Sequence, residues 1–239
     1  MKKRILRVLV CGASGRMGLA VRRELQAGRG FSYAGGVDPA PGAGVYKPGR
    51  LAELLKGADA VIDFSSPTAA CAAAAACARA GKPFITGTTG FSRAQLASLK
   101  KAARRIPVFC SPNMSPAVNL TVALAAAAAA RLKGFDIYIN EVHHKAKKDS
   151  PSGTALCYAR RVAAARGGIL PPITSARAGD IVGEHTVVYA GPHERVELTH
   201  RAHSRAVFAV GALRAAAWVE GRGSGFYDYS DLLDLKGMA

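Results

Sequence analysis

A chain of 239 residues that is 49% apolar can bury a sizeable core in one large domain or two modest ones, which excludes a disordered or fibrous polymer. Its formal net charge of +17 is spread along the whole chain, aromatics are only 7%, and no nucleic-acid motif accompanies the charge, so neither nucleic acid nor a membrane surface is the expected partner. Five cysteines without framework or CxxC spacing exclude a disulfide scaffold, give no support for a metal site, and point to a cytoplasmic setting.

The opening run Lys2-Lys3-Arg4-Ile5-Leu6-Arg7-Val8 imitates the charged region of an export signal, but Arg7 interrupts its apolar stretch and Gly12 ends it. Arg4–Cys11 instead reads as a strand. Arg16–Gln26 reads as a helix that Gly28 or Gly30 terminates, and Phe31–Val37 as a second strand. Further strands are predicted at Ala58–Phe64, Pro83–Thr86 and Ile106–Cys110, with helices at Pro67–Ala80 and Ser92–Arg105. Strands interleaved with helices of this length predict a Rossmann-type, doubly wound parallel sheet over residues 1–115. The alanine tracts Ala72–Ala76 and Ala125–Ala130 are too short to span a bilayer.

Beyond Ser115 the pattern changes. An Ala-rich helix (Pro116–Leu132) leads into a strand at Ile137–Val142; longer alternating segments follow at Gly183–Ala190 and Glu194–Arg201, and Ser204–Glu220 reads as a helix. These elements predict a second α+β domain over 116–220, with a mixed or antiparallel sheet.

Two segments carry chemistry. Gly12-Ala13-Ser14-Gly15-Arg16-Met17-Gly18 joins the first strand to the first helix. Gly12 and Gly15 permit backbone approach to a pyrophosphate, and Gly18 permits close helix–strand packing. Asp38, at the end of the second strand, stands where a carboxylate meets the adenine ribose hydroxyls. The second segment, Glu141-Val142-His143-His144-Lys145-Ala146-Lys147-Lys148-Asp149-Ser150-Pro151-Ser152-Gly153-Thr154-Ala155, sets two imidazoles and a lysine before a helix start. Such a start offers unpaired N–H groups and a partial positive charge to an anion, with Ser152 or Thr154 able to cap it.

Both segments closely resemble the dihydrodipicolinate reductase family, whose pattern Glu-x-His-His-x-x-Lys-x-Asp-x-Pro-Ser-Gly-Thr-Ala is met at every fixed position. The resemblance covers nearly the whole chain and includes the C-terminal Gly225-Phe226-Tyr227-Asp228; the Pro39–Gly49 region is shortened. It implies NADH- and/or NADPH-dependent reduction of a small ring dicarboxylate by a homotetramer, with the 116–220 domain binding substrate and carrying the oligomer contacts and the tail 221–239 returning to the first domain. It further implies that His143 donates a proton, that Lys147 stabilises developing charge, and that His144, Ser152, Gly153 and Thr154 hold substrate carboxylate. Gly87-Thr88-Thr89 and Ser111-Pro112-Asn113-Met114, at two strand ends, are implied as nicotinamide-contacting loops, with Met114 in a slot the family usually gives to another bulky residue. Asp38 followed by Pro39 favours NADH, whereas Arg16 and the basic loop Lys47–Arg50 favour a 2′-phosphate, so dual use with some NADH preference is expected. The remaining histidines, His185, His193, His200 and His203, read as structural or interface residues, about one in four facing the site. The competing reading is a non-catalytic nucleotide sensor or nucleic-acid-binding protein on the same fold.

Overall fold

The computed structural model describes residues 4–28 and 30–238; Lys2 and Lys3 of the basic start lie outside them. The chain divides into two compact units. Unit 1 comprises 1–114 and 206–228, and unit 2 comprises 115–205 and 229–239.

In unit 1, β1 (Leu6–Cys11), β2 (Phe31–Val37), β3 (Val45–Tyr46), β4 (Ala60–Asp63), β5 (Phe84–Thr86), β6 (Pro107–Cys110) and β11 (Gly225–Tyr227) form one sheet in the order β11-β6-β5-β4-β1-β2-β3. All its pairings are parallel. The central strands are buried on both faces, and so their sequences run apolar without alternating: Val8, Leu9, Val10, Val61, Ile62, Phe84 and Ile85 are all inaccessible. The longer helices of this unit are α1 (Arg16–Gln26), α3 (Pro67–Ala80), α4 (Arg93–Ala102) and α7 (Ala206–Val219). Two of the starts are written in the sequence. Ser66 caps α3, followed by Pro67 at the first helical position, and Ser92 closes a reciprocal box with Gln95 on α4.

Helix α7 packs beside α1 and over β4, β5 and β6, which places it in unit 1 and not in the 116–220 unit that the sequence pattern suggests. The reason is compositional. Its buried residues are Ala209, Gly211, Ala212, Leu213, Ala215, Ala216 and Val219, a small-residue surface that suits close packing on a sheet and carries no mark of which sheet. The tail also divides: β11 extends the parallel sheet beside β6, while α8 (Tyr229–Leu232) belongs to unit 2. Strand β3 and the short α2 (Leu51–Leu54), flanked by 3-10 turns, were not expected from the sequence.

Unit 2 is a four-stranded mixed sheet with two longer helices. Its strands β7 (Asp136–His143), β8 (Ile173–Arg177), β9 (Gly183–Ala190) and β10 (Arg195–Ala202) lie in the order β10-β9-β7-β8. Only β7 and β8 run parallel. Helices α5 (Pro116–Arg131) and α6 (Gly153–Ala165) pack on each other and cover one face, burying Val118, Val122, Tyr158 and Val162 against Ile139, Val187 and Tyr189. The inward face of β7 reads Ile139, Glu141, His143. The strand thus passes from hydrocarbon to titratable groups without changing side.

Candidate active site

In unit 1 the glycine loop is built as the spacing requires. Gly12 has φ +76°, and a Cβ there would fall 2.4 Å from the Phe64 carbonyl oxygen. A Cβ on Gly18 would fall 2.1 Å from the Gly12 oxygen, so the first turn of α1 lies directly on β1. Gly15 is the N-cap of α1 and gives it no side-chain cap, which leaves the first-turn N–H groups without intrahelical partners. This cradle fits a dinucleotide pyrophosphate. Ala13 is fully buried and contributes backbone only, while Arg16 is exposed and Met17 half-buried.

Asp38 accepts from the Ser14 N–H (3.1 Å) and the Ala40 N–H (2.9 Å), and the Ser14 hydroxyl donates to the Ala40 carbonyl (2.6 Å). The carboxylate therefore stitches the glycine loop to the Pro39 segment. Each of its oxygens retains a lone pair for a ribose hydroxyl.

At the strand ends, Thr88 is buried and its hydroxyl donates to Asp63 (2.7 Å), as does that of Thr86 (2.8 Å). Burial pushes the Asp63 carboxyl up, and its hydroxyl donors oppose that rise. The Thr88 hydroxyl is thus committed to the protein, and any cofactor contact from this loop falls to backbone groups or to the exposed Thr89. Gly87 lies under the Phe64 ring, which a Cβ would meet at 2.2 Å. In the second loop Ser111 is buried with its hydroxyl on the Asn113 carbonyl (2.7 Å), Pro112 is exposed, and the Met114 side chain is turned fully inward.

In unit 2 the signature segment folds around one carboxylate. Glu141 is 2% exposed; its Oε1 accepts from the Arg177 guanidinium (3.0 Å) and from the Ser152 N–H (3.2 Å), and its Oε2 lies against Nδ1 of His143. Burial alone would raise the Glu141 carboxyl. Ser175, Arg177 and His143 outweigh it and hold the group below its ordinary value. Strand register adds His185, which sits directly opposite Glu141 on β9. The His185 ring meets His143 edge-on at 5.1 Å and stacks with Tyr158 at 5.9 Å, and its Nε2 contacts the Ser152 hydroxyl at 3.1 Å. Burial and the neighbouring His143 push His185 down to about 3, so it is neutral across the physiological range.

His143 is buried and its value is lowered, chiefly by burial, with Glu141 opposing and Lys147 and Arg177 adding to the decrease. The residue facing its Nε2 is Gly183, where a Cβ would lie 3.0 Å away. His144, on the other side of the strand end as alternation requires, is half-buried and meets Arg205 at 3.3 Å. Lys147 is half-buried and bonds both oxygens of Asp149 (2.9 Å each), whereas Lys145 and Lys148 are exposed.

Ser152, not Thr154, is the N-cap of α6: its hydroxyl accepts from the Ala155 N–H at 3.1 Å. With its N–H on Glu141 and its hydroxyl on Ala155 and His185, Ser152 shapes the helix start and has little left for a ligand. Gly153, the first helical residue, is exposed, and a Cβ there would meet nothing within 4 Å. Sequence reasoning missed Arg177, Arg205 and the part played by Glu141, and it left His185 among the structural histidines. The one available signal was alternation, which puts Glu141 and His143 on one face. Glu141, His143 and His185 also offer donor atoms within 4.8 Å of one another. Arg177 already supplies the charge that balances Glu141, so the cluster suits proton handling better than cation binding.

Family models described as dihydrodipicolinate reductase, N-terminus and C-terminus, match residues 6–114 and 117–233. The chain belongs to the dihydrodipicolinate reductase family. Among relatives of that family, the 4-hydroxy-tetrahydrodipicolinate reductase of Anaeromyxobacter dehalogenans is 44% identical, over 97% of this chain and 98% of its own. That of Thiobacillus denitrificans is 43% identical, over 97% of this chain and 99% of its own. The fold is also that of the dipicolinate-bound dihydrodipicolinate reductase of Paenisporosarcina sp. TG-14, with a TM-score of 0.82 at 22% identity, covering 96% of this chain and 99% of that one.

Proposed function

We propose that this chain is a pyridine-nucleotide-dependent oxidoreductase that reduces 4-hydroxy-tetrahydrodipicolinate to tetrahydrodipicolinate in lysine and diaminopimelate synthesis. The observation that carries the reading is the buried His143 beside the half-buried Lys147 and the exposed N-terminus of α6: a proton donor, a cation and a carboxylate anchor on one short segment. Reduced nicotinamide, when bound by unit 1, supplies the hydride. The residues of unit 2 do the rest. Gly153 and Thr154 present helix-start N–H groups to one ring carboxylate, where the helix dipole favours negative charge. Lys147 and the His144–Arg205 pair add cationic and hydrogen-bonding groups for the substrate, and Asp149 holds the Lys147 ammonium in place until substrate competes for it. The 4-hydroxyl leaves as water to give a conjugated imine that accepts the hydride; His143 then protonates the neighbouring carbon and recovers its proton from water in each turnover.

The test is consumption of NADH and NADPH with freshly prepared substrate. Turnover with either nucleotide supports the reading. A folded protein that binds nucleotide and consumes neither would leave the sensor reading in its place.

For the cofactor we propose dual use with some preference for NADH. Asp38 accepts from ribose hydroxyls and repels a 2′-phosphate, while the exposed Arg16 and Lys47 keep NADPH within reach. Asp38→Ala is expected to weaken NADH binding and to weaken NADPH binding less or improve it, measured by titrating both nucleotides against both proteins. An unchanged NADH/NADPH ratio would move specificity to Arg16 or Lys47. A cytoplasmic homotetramer assembled through unit 2 is the matching quaternary proposal. It is supported by the sheet face opposite α5 and α6, which carries Tyr138 and the Thr186–Thr199 hydroxyl pair. Among the described residues no helix is long and apolar enough to cross a membrane.

A further inference from the structure

We propose that Glu141 is a positioning residue for the reduction: it fixes the tautomer of His143 by accepting the Nδ1 proton, so that Nε2 is the nitrogen that exchanges a proton with the substrate. The inference rests on His143 being the proton donor and adds a requirement to that reading.

The geometry is specific. Glu141 and His143 share the inward face of β7, two residues apart, and Oε2 of the buried carboxylate lies against Nδ1 of the ring. The other carboxylate oxygen is clamped by Arg177 and by the Ser152 N–H, so Glu141 cannot swing away from the imidazole. The opposite nitrogen faces Gly183, where a Cβ would crowd Nε2 at 3.0 Å and only glycine leaves it room. One carboxylate therefore orients both the acid and the helix start that anchors the substrate.

The charges around His143 show why an acceptor is needed there. Arg177 reaches it from β8, Lys147 from the following turn, His185 from β9, and His200 lies one strand further on, opposite His185. Arg177 and Lys147 disfavour an imidazolium, as does burial, and neutral His185 offers it no compensation. Asp149 is taken up by Lys147. Glu141 is the carboxylate in contact with the ring. With it, His143 carries its second proton closer to neutral pH; without it, the proton is held only at lower pH. The arrangement is a carboxylate–imidazole dyad in which the carboxylate selects the tautomer and stays ionised.

Glu141→Gln tests this at nearly constant shape. The amide can still accept from Arg177 and Ser152, yet it presents an N–H to Nδ1. The ring then becomes an acceptor at Nδ1 and keeps its single proton on Nε2, a far weaker acid than imidazolium. The expected results are a fall in kcat on the order of 10²-fold near neutral pH, little change in the cofactor KM, and retained binding of pyridine-2,6-dicarboxylate. Activity carried by an acid is lost as pH rises through its pKa, so the alkaline limb of kcat should move to lower pH in the variant. The second readout is the ¹⁵N resonances of His143: protonated Nδ1 in the neutral wild-type ring and protonated Nε2 in the variant. The wild-type spectrum needs no variant to fold. A neutral wild-type His143 with bare Nδ1, or an unmoved alkaline limb in an active Glu141→Gln enzyme, would overturn the dyad. Wild-type protein inert with both nucleotides would overturn the reductase reading instead.

Discussion

His143→Gln is expected to lower kcat by roughly 10²–10⁴-fold, the usual contribution of one well-placed general acid. Glutamine keeps a polar side chain of similar reach but has no proton to release and recover near neutral pH. The variant should leave unit 1 untouched, because His143 packs against Glu141, His185 and Gly183, all in unit 2. Nucleotide affinity is therefore the control: kcat collapses while the dissociation constants for NADH and NADPH stay within about twofold, well under the roughly tenfold change that corresponds to 1.4 kcal/mol. Wild-type turnover in this variant would remove His143 from the chemistry and leave its burial among titratable groups unexplained.

Gly153→Val addresses substrate binding. Because a Cβ at Gly153 meets nothing within 4 Å, the fold itself tolerates a side chain there, and the cap from Ser152 to Ala155 is unaffected. What valine occupies is the open space over the start of α6, where a carboxylate approaches the helix-start N–H groups. Losing one hydrogen bond to a charged group costs roughly 1.5–3 kcal/mol, or about 10- to 150-fold in substrate KM, with the cofactor KM nearly constant. Pyridine-2,6-dicarboxylate should compete with substrate in the wild-type enzyme and lose potency by a similar factor in the variant. Equal inhibition of both proteins would place the anion elsewhere.

The parts of the fold that were legible in the sequence are those whose physics is local. A glycine that must hold φ +76° and two backbone approaches that exclude a Cβ can be read from spacing alone. So can the helices that begin near Pro67 and Ser92, and a helix start at Ser152 or Thr154, which the structure resolves to Ser152. Strand β8 was not legible: Ile-Thr-Ser-Ala-Arg is short, weakly apolar and has no turn signal that separates it from the prolines before it. It acquires its conformation by pairing with β7. The convergence of Arg177, His185 and Glu141 was hidden for the same reason. Arg177 lies 36 positions from Glu141 and His185 lies 33 from Ser152, and sheet register carries both to the Glu141 carboxylate. Thr88 and Met114 illustrate the converse. A motif position says that a loop is near a cofactor; whether its side chain faces outward or is spent on Asp63 or the core depends on packing that the motif does not encode.

Unit 1 is discontinuous in the chain, since α7 and β11 come from residues beyond 205. During synthesis the ribosome releases β1 to β6 while the helix that covers β4, β5 and β6 and the strand that closes the β6 edge are still unmade. The nascent half therefore waits with a bare hydrophobic face and an unpaired edge, the features that recruit chaperones or drive self-association. A fragment ending at Met114 would inherit that exposed state permanently, whereas a fusion of 4–114 to 206–228 through a short linker would restore the missing layer. Nucleotide capture by a fully formed unit 1 thus comes only after most of unit 2 has already left the ribosome.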